Sequence, residues 1–163
     1  MDSLLQERLD LAYMVGKASD PRLDARLVCR ERTFVVANNR CPLAANGSLT
    51  PGDLAGYTLL VPSDFKSGRV EDDARASMGL GDVEMNVVFF DGAFSHIVER
   101  VRMNEGVWVA GESYCRTVDS YGLVFVPLAG VTTDHYLAYR KGAEANPAVR
   151  CVLDAFAPLG RTL

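Results

Sequence analysis

The stretch LTPGDLAGYTLLVP, residues 49–62, combines a capped helical turn with an uninterrupted apolar strand. Thr50 is a residue type that caps helices, Pro51 suits the first helical position, and Asp53 can return a bond to the cap. The following TLLVP (58–62) lacks polar alternation, which is typical of a strand buried inside a parallel sheet. The stretch therefore predicts a turn that leads the chain into the interior of an α/β fold.

Strands and helices alternate on both sides of this stretch. Alternation of this kind implies a mostly parallel sheet with helices on both faces. The first strand, LDLAYMV (9–15), is apolar on both faces and should have neighbours on each side, but the residues before it supply none. The further predicted strands are 26–38, 83–90, 107–111, 123–128 and 134–141, and the predicted helices lie within 63–79, 93–104, 112–120 and 147–156.

Composition excludes several classes of protein. The 163 residues are 48% hydrophobic and 23% charged, which suits a packed core and argues against disorder. No apolar run has the length of a membrane span, and the acidic start is no signal peptide, so we expect a cytoplasmic protein without membrane contact. A net charge of −4 disfavours direct binding of nucleic acid. Four widely spaced cysteines and two histidines indicate reduced structural thiols, no metal site and no cofactor.

Six stretches follow one another in a characteristic order: LDLAYMV (9–15), TFVVANNRCPLA (33–44), LTPGDLAGYTLLVPSD (49–64), AFSHIVERVRMNEGVWVA (93–110), DHYLAYRKG (134–142) and NPAVRCVLDAF (146–156). In this order and spacing they resemble the effector-binding domain of LysR-type transcriptional regulators. The resemblance implies an α/β, two-lobed, periplasmic-binding-protein-like fold with a small molecule between the lobes. On that pattern, residues 1–48 form part of the first lobe, 49–128 the second lobe, and 129–163 return to the first.

The resemblance also accounts for the isolated first strand. LDLAYMV resembles the family strand that follows a first strand, a long helix and a second strand, none of which this sequence contains. We therefore expect a complete second lobe and a first lobe without its initial elements, and no winged helix-turn-helix. A truncated gene product, a cloned fragment and a misassigned start all fit. The sequence departs from the family pattern at Cys41, at Asn104 and at Gly111, where the family commonly has His, Gly and Pro.

Ligands of parallel α/β lobes collect where strands end and helices begin. The candidate effector contacts are therefore the residues after two strands of the central lobe, together with one turn of the other lobe: Pro62, Ser63, Asp64, Ser67, Asp91, Gly92, Ala93, Val15 and Gly16. The polar ones could equally cap helices or form turns. Helix N-termini favour a carboxylate, but two aspartates would repel one, so another small metabolite stays open.

Other classes of function have weaker support. Cys115, His96 and Asp119 could form a nucleophilic set, but no nucleophile elbow presents the thiol, and we predict no catalysis. His96 and His135 are predicted to be surface residues. The alternative to effector sensing is a regulator fragment that acts as an interaction or dimerisation module, for which a homo-oligomer is open. A stand-alone two-lobed binding protein is a third hypothesis.

Overall fold

The computed structural model describes residues 2–17, 20–62, 75, 78–91 and 94–156. The chain forms two compact units, Met1–Glu31 with Thr133–Leu163, called unit 1, and Arg32–Thr132, called unit 2. The strands are β1 (Leu11–Val15), β2 (Leu23–Asn38), β3 (Thr58–Pro62), β4 (Asn86–Phe90), β5 (Trp108–Gly111) and β6 (Leu123–Arg140). The α-helices are α1 (Asp2–Leu5), α2 (Phe94–Arg102), α3 (Glu112–Cys115) and α4 (Pro147–Phe156), with 3₁₀ turns at Pro42–Ala45, Pro51–Leu54 and Ala143–Ala145.

Unit 1 carries a helix on each face of its strands. β1 pairs with β6 in antiparallel register from Leu11↔Tyr139 to Val15↔His135. Successive strand residues point to opposite faces, so two separate apolar clusters result. One cluster joins α1 to the strands through Leu4, Leu23 and Ala138, and the other joins α4 to them through Val28, Leu137, Val149 and Leu153.

Unit 2 contains the parallel pair that residues 49–62 predict. β3 and β4 run parallel in a register from Thr58↔Asn86 to Pro62↔Phe90. β2 and β5 pair antiparallel, from Thr33↔Gly111 to Val36↔Trp108. One core cluster buries Leu54, Leu59 and Val61 with other aliphatic residues, and a second packs α2 through Ile97, Val98 and Val101.

The predicted α/β class is confirmed, but a mostly parallel sheet is wrong for two pairings. β1·β6 and β2·β5 are antiparallel, so the sheets are mixed. The predicted strands 123–128 and 134–141 are a single strand, β6, and Gly130 within it takes a φ of +76°, which glycine adopts without strain. The strand predicted at 83–90 begins at Asn86. The helix predicted within 63–79 lies largely outside the described residues.

The capped turn at Pro51–Leu54 is confirmed. Asp53 Oδ2 accepts hydrogen bonds from the Thr50 backbone N–H at 2.6 Å and from the Thr50 hydroxyl at 2.7 Å. On the other side of the turn, the Leu49 N–H donates to Pro127 O at 2.8 Å, and Leu49 O accepts from Ala129 N–H at 2.7 Å. The turn is thus anchored to β6 as the chain enters β3.

Candidate functional site

The carboxyl ends of β3 and β4 lie side by side in unit 2. Pro62 and Phe90 are register partners in the parallel pair, and the exposed Asp91 follows directly. Two of the predicted effector residues are therefore adjacent at one sheet edge, the edge at which parallel α/β sheets bind ligands. The other candidates of this unit lie outside the described residues: Ser63, Asp64, Ser67, Gly92 and Ala93.

A cationic side chain that the sequence analysis missed covers this edge. The Arg100 guanidinium carbon lies 4.0 Å from the centre of the half-buried Phe90 ring. Its Nη1 also contacts Glu105 Oε2 at 2.7 Å. A guanidinium over an aromatic face is a cation–π contact, and its remaining N–H groups stay available to an anion. The pair joins β4 to α2, so no local sequence pattern signals it.

The loop after α2 explains one departure from the family pattern. Asn104 has a φ of +60°, a left-handed conformation that glycine adopts freely and asparagine tolerates better than most residues. Gly106, in contrast, cannot be replaced by a residue with a side chain unless the backbone shifts, because an added Cβ would lie 2.6 Å from Thr58 O. The close approach allows the Val107 N–H to donate to Thr58 O at 2.8 Å. This loop thereby fixes the start of β5 against β3.

The predicted residue Val15 is the last residue of β1 in unit 1, and the predicted Gly16 follows it. Val15 is 43% exposed, and Gly16 has a φ of +76°. The Gly16 N–H donates to Asp134 O at 2.9 Å. The Asp134 carboxylate accepts two bonds from Arg30, at 2.6 and 2.7 Å, so the turn rests on a bidentate ion pair between β2 and β6.

A buried polar network borders the same turn, and the prediction of His135 as a surface residue is wrong. His135 is 7% exposed and Glu31 is 2% exposed. The ring Nε2 lies 2.8 Å from Glu31 Oε1, and Nδ1 lies 2.6 Å from the Tyr13 hydroxyl. An ionised carboxylate only accepts, so Nε2 carries a proton, and in the neutral ring Nδ1 accepts from Tyr13. No local sequence pattern signals this burial, because both partners of the ring, Tyr13 and Glu31, are more than one hundred residues away in the chain.

Burial changes the acidity of two groups in this network. The pKa of the Tyr13 phenol is raised by burial and further by its neighbours Cys29 and Glu31. Burial likewise raises the pKa of the Cys29 thiol, and the Glu31 charge adds to the effect. Both groups therefore keep their protons at neutral pH, and Cys29 lacks the thiolate that a reactive cysteine needs.

The described residues contain no cluster of histidine, cysteine, aspartate or glutamate side chains that could hold a metal ion. None of the helices in this part of the chain has the length and apolar character of a membrane span. The four cysteines are free thiols. His96 is exposed, as predicted. Asp119, the third member of the hypothetical nucleophilic set, instead accepts from Arg102 Nη2 at 3.3 Å and from the Tyr121 backbone N–H at 3.1 Å.

Solved structures with a similar fold include regulatory and effector-binding domains. The reduced OxyR regulatory domain from Pseudomonas aeruginosa matches with a TM-score of 0.69 and 16% identity, over 95% of this chain and 75% of its own. The effector-binding domain of a BenM variant matches with a TM-score of 0.72 and 21% identity, over 97% and 74%. The BenM domain with its effector benzoate matches with a TM-score of 0.65 and 22% identity, over 94% and 73%. A comparison with curated protein sequences found no match.

The mixed α/β architecture is therefore that of the periplasmic-binding-protein-like effector domains. The sequence model of the LysR substrate binding domain matches residues 1–160. The chain belongs to this family of transcriptional-regulator domains, and the resemblance drawn from the six stretches is confirmed.

Proposed function

We propose that this chain senses a small-molecule effector and does not itself contact DNA. The observation that carries the proposal is the register of β3 and β4, which brings Pro62 and Asp91 to one sheet edge in a member of a family named for substrate binding. The net charge of −4 supports the second part, because an acidic domain neutralises phosphates poorly. The predicted lobes 1–48, 49–128 and 129–163 remain part of this proposal.

The described residues at this edge favour an effector with an apolar body and an anionic group. Pro62 and the Phe90 ring are apolar, and the Arg100 guanidinium lies over that ring. Asp91 opposes an anion at the same edge, so the anionic group should lie on the Arg100 side. BenM, a structural relative, is described with benzoate, which has this combination of groups. A small aromatic or aliphatic carboxylate is therefore the first class to test.

The Val15–Gly16 turn of unit 1 is proposed as a second set of effector contacts. Its Asp134–Arg30 support and its buried neighbour His135 give the turn a defined position, which ligand binding requires. The exposed Val15 offers an apolar contact, and no donor side chain stands at that position.

The test is thermal denaturation of the purified chain with a panel of carboxylates, amino acids and neutral aromatics. A ligand that binds the folded state at one hundred times its Kd stabilises it by about 2.7 kcal/mol. For a domain of this size the melting temperature should rise by about 5–11 °C. A panel that includes benzoate and leaves the melting temperature unchanged at millimolar concentrations would contradict effector sensing.

Variants then locate the site. Ser63→Ala and Arg100→Met should weaken binding of an effector found in the panel, as measured by titration calorimetry, by about tenfold for each lost hydrogen bond to a charged group. Ser120→Ala is the matched control, because Ser120 is an exposed loop serine in the same unit. Equal affinities of the Ser63 and Ser120 variants would remove Ser63 from the site. A gel shift with specific binding to DNA would overturn the second part of the proposal.

A further inference from the structure

Glu105 faces the Arg100 guanidinium at the proposed effector site of unit 2. Its Oε2 accepts a hydrogen bond from Arg100 Nη1 at 2.7 Å. The side chains of Arg100 and Glu105 are 45% and 42% exposed, respectively. Because an ion pair at such exposure contributes little to folding stability, an anion from solution can replace it without unfolding the chain. Arg100 therefore carries an internal counter-ion, the Glu105 carboxylate, that a ligand can exchange.

The end of α2 fixes the position of this counter-ion. The Asn104 N–H donates to Val101 O at 2.9 Å, and the Glu105 N–H donates to Arg100 O at 3.1 Å. With Asn104 in the left-handed conformation, these two bonds form a Schellman motif, a common end of a helix. Glu105 and Arg100 are thus joined through the backbone as well as through their side chains. The carboxylate stands beside the guanidinium because of how the helix ends.

The neighbouring Arg102 has different surroundings. Its guanidinium donates to Glu99 Oε1 at 2.6 Å and to Asp119 O at 2.7 Å, and its side chain is 22% exposed. Arg100 is more exposed, and among the described residues its side chain hydrogen-bonds to Glu105 alone. A guanidinium has five N–H donors, so Arg100 keeps donors for a ligand while Glu105 stays in place. Of these two arginines, Arg100 is the one that can bind an anion.

Negative charge at this edge opposes an anionic ligand. Asp91 follows β4 and is exposed, and Glu105 lies against Arg100. A carboxylate that binds Arg100 is therefore repelled by Glu105, whereas a neutral ligand of the same shape is not. A small anion has no apolar surface with which to offset this repulsion. An acid with an apolar body does have one, because the half-buried Phe90 ring offers it a contact.

We propose that Glu105 is a specificity-determining residue of this site, where it holds the Arg100 guanidinium in place and competes with the carboxylate of a ligand. The inference rests on the effector site proposed above and deepens it. Glu105 sets a threshold of affinity that apolar acids pass, through their contact with Phe90, and that small anions such as acetate do not. Removing its charge should strengthen the binding of carboxylates and leave neutral ligands unaffected.

The test compares Glu105→Gln with the wild type by titration calorimetry. The amide keeps an oxygen that accepts from Arg100 and loses the charge. The probes are benzoate and benzamide, which share an apolar body and differ in charge. Benzoate should bind the variant about fourfold more tightly or better, the factor for two like unit charges about 5 Å apart in the dielectric of water, and benzamide should be unchanged.

Glu99→Gln is the matched control. It makes the same charge change on α2, but Glu99 pairs with Arg102, so both affinities should change by less than about twofold. If the thermal panel finds another acid, that acid and its primary amide replace the two probes. An unchanged affinity of Glu105→Gln for the acid, or an equal fall for acid and amide, would overturn the inference alone. No binding of any carboxylate to wild type or variant would remove the effector site as well.

Discussion

Replacing His135 by leucine is expected to lower the free energy of unfolding by about 2–5 kcal/mol. The imidazole Nε2 donates to Glu31 Oε1 over 2.8 Å, and Glu31 is 2% exposed. The lower figure is the loss of a hydrogen bond to a charged group, and the upper figure is the usual cost of breaking a buried ion pair. The Tyr13 side chain is 56% exposed, so its hydroxyl can turn to water and contributes little to the loss.

The assay is urea denaturation followed by far-UV circular dichroism. With an m-value of about 2 kcal/mol/M, the midpoint of His135→Leu should fall by about 1–2.5 M urea at an unchanged m-value. His96→Leu is the control, because His96 is exposed, and it should change stability by less than about 0.5 kcal/mol. The double variant Glu31→Leu/His135→Leu removes both polar partners and should be more stable than His135→Leu alone.

Two results would refute this reasoning. A loss below about 1 kcal/mol for His135→Leu would show that the contact to Glu31 adds nothing beyond a neutral hydrogen bond. A double variant whose loss equals the sum of the two single losses would show that the residues are energetically independent, despite the 2.8 Å distance.

Three further predictions concern other parts of the chain. Gly106→Ala should destabilise by about 1–3 kcal/mol in the same urea assay, since its Cβ would lie 2.6 Å from Thr58 O; a neutral effect would mean that the loop shifts freely. The two arginine partners of Glu112 lower its pKa from 4.5 to about 2, so its stabilising effect is complete above pH 4.5 and is lost as the pH falls towards 2. Glu112→Gln should therefore flatten the acid side of the stability–pH curve, and an unchanged slope would contradict this. Alkylation at pH 8, followed by mass spectrometry, should modify the exposed Cys151 before Cys29, because the pKa of the Cys29 thiol is raised. Equal alkylation rates of the two thiols in the folded chain would contradict the raised pKa of Cys29.

Local patterns predicted the elements that depend on neighbouring residues. The capping bonds of Thr50 and Asp53 join positions three residues apart, so the sequence pattern contains both partners. The strand Thr58–Pro62 was predicted with its observed bounds, because a short apolar run between turn residues has few alternative structures. The order of six such stretches was enough to identify the family, which the match over residues 1–160 confirms.

Strand direction and long-range polar contacts could not be predicted in this way. Alternating elements suggested parallel pairing for β1, yet β1 pairs with β6 over a separation of more than one hundred residues and runs antiparallel to it. The apolar run of β1 reflects burial on both faces, which the two helices of unit 1 provide, and it does not depend on strand direction. The same limit applies to the candidate site. Pro62 and Asp91 were predicted because they lie where strands end, whereas the position of Arg100 over Phe90 depends on how α2 packs against β4.

The sequence by itself determined the α/β class and the capped entry into β3, because these depend on periodicity and on partners close in the chain. The family followed from the resemblance of six stretches to known sequences. Only the tertiary structure decided that His135 is buried beside Glu31, 104 residues away, and that β1 runs antiparallel to β6. A polar residue at a strand position is compatible with solvent or with a buried partner, and the two have the same local pattern. The choice is made by the residues that the fold places opposite it, and these are distant in sequence.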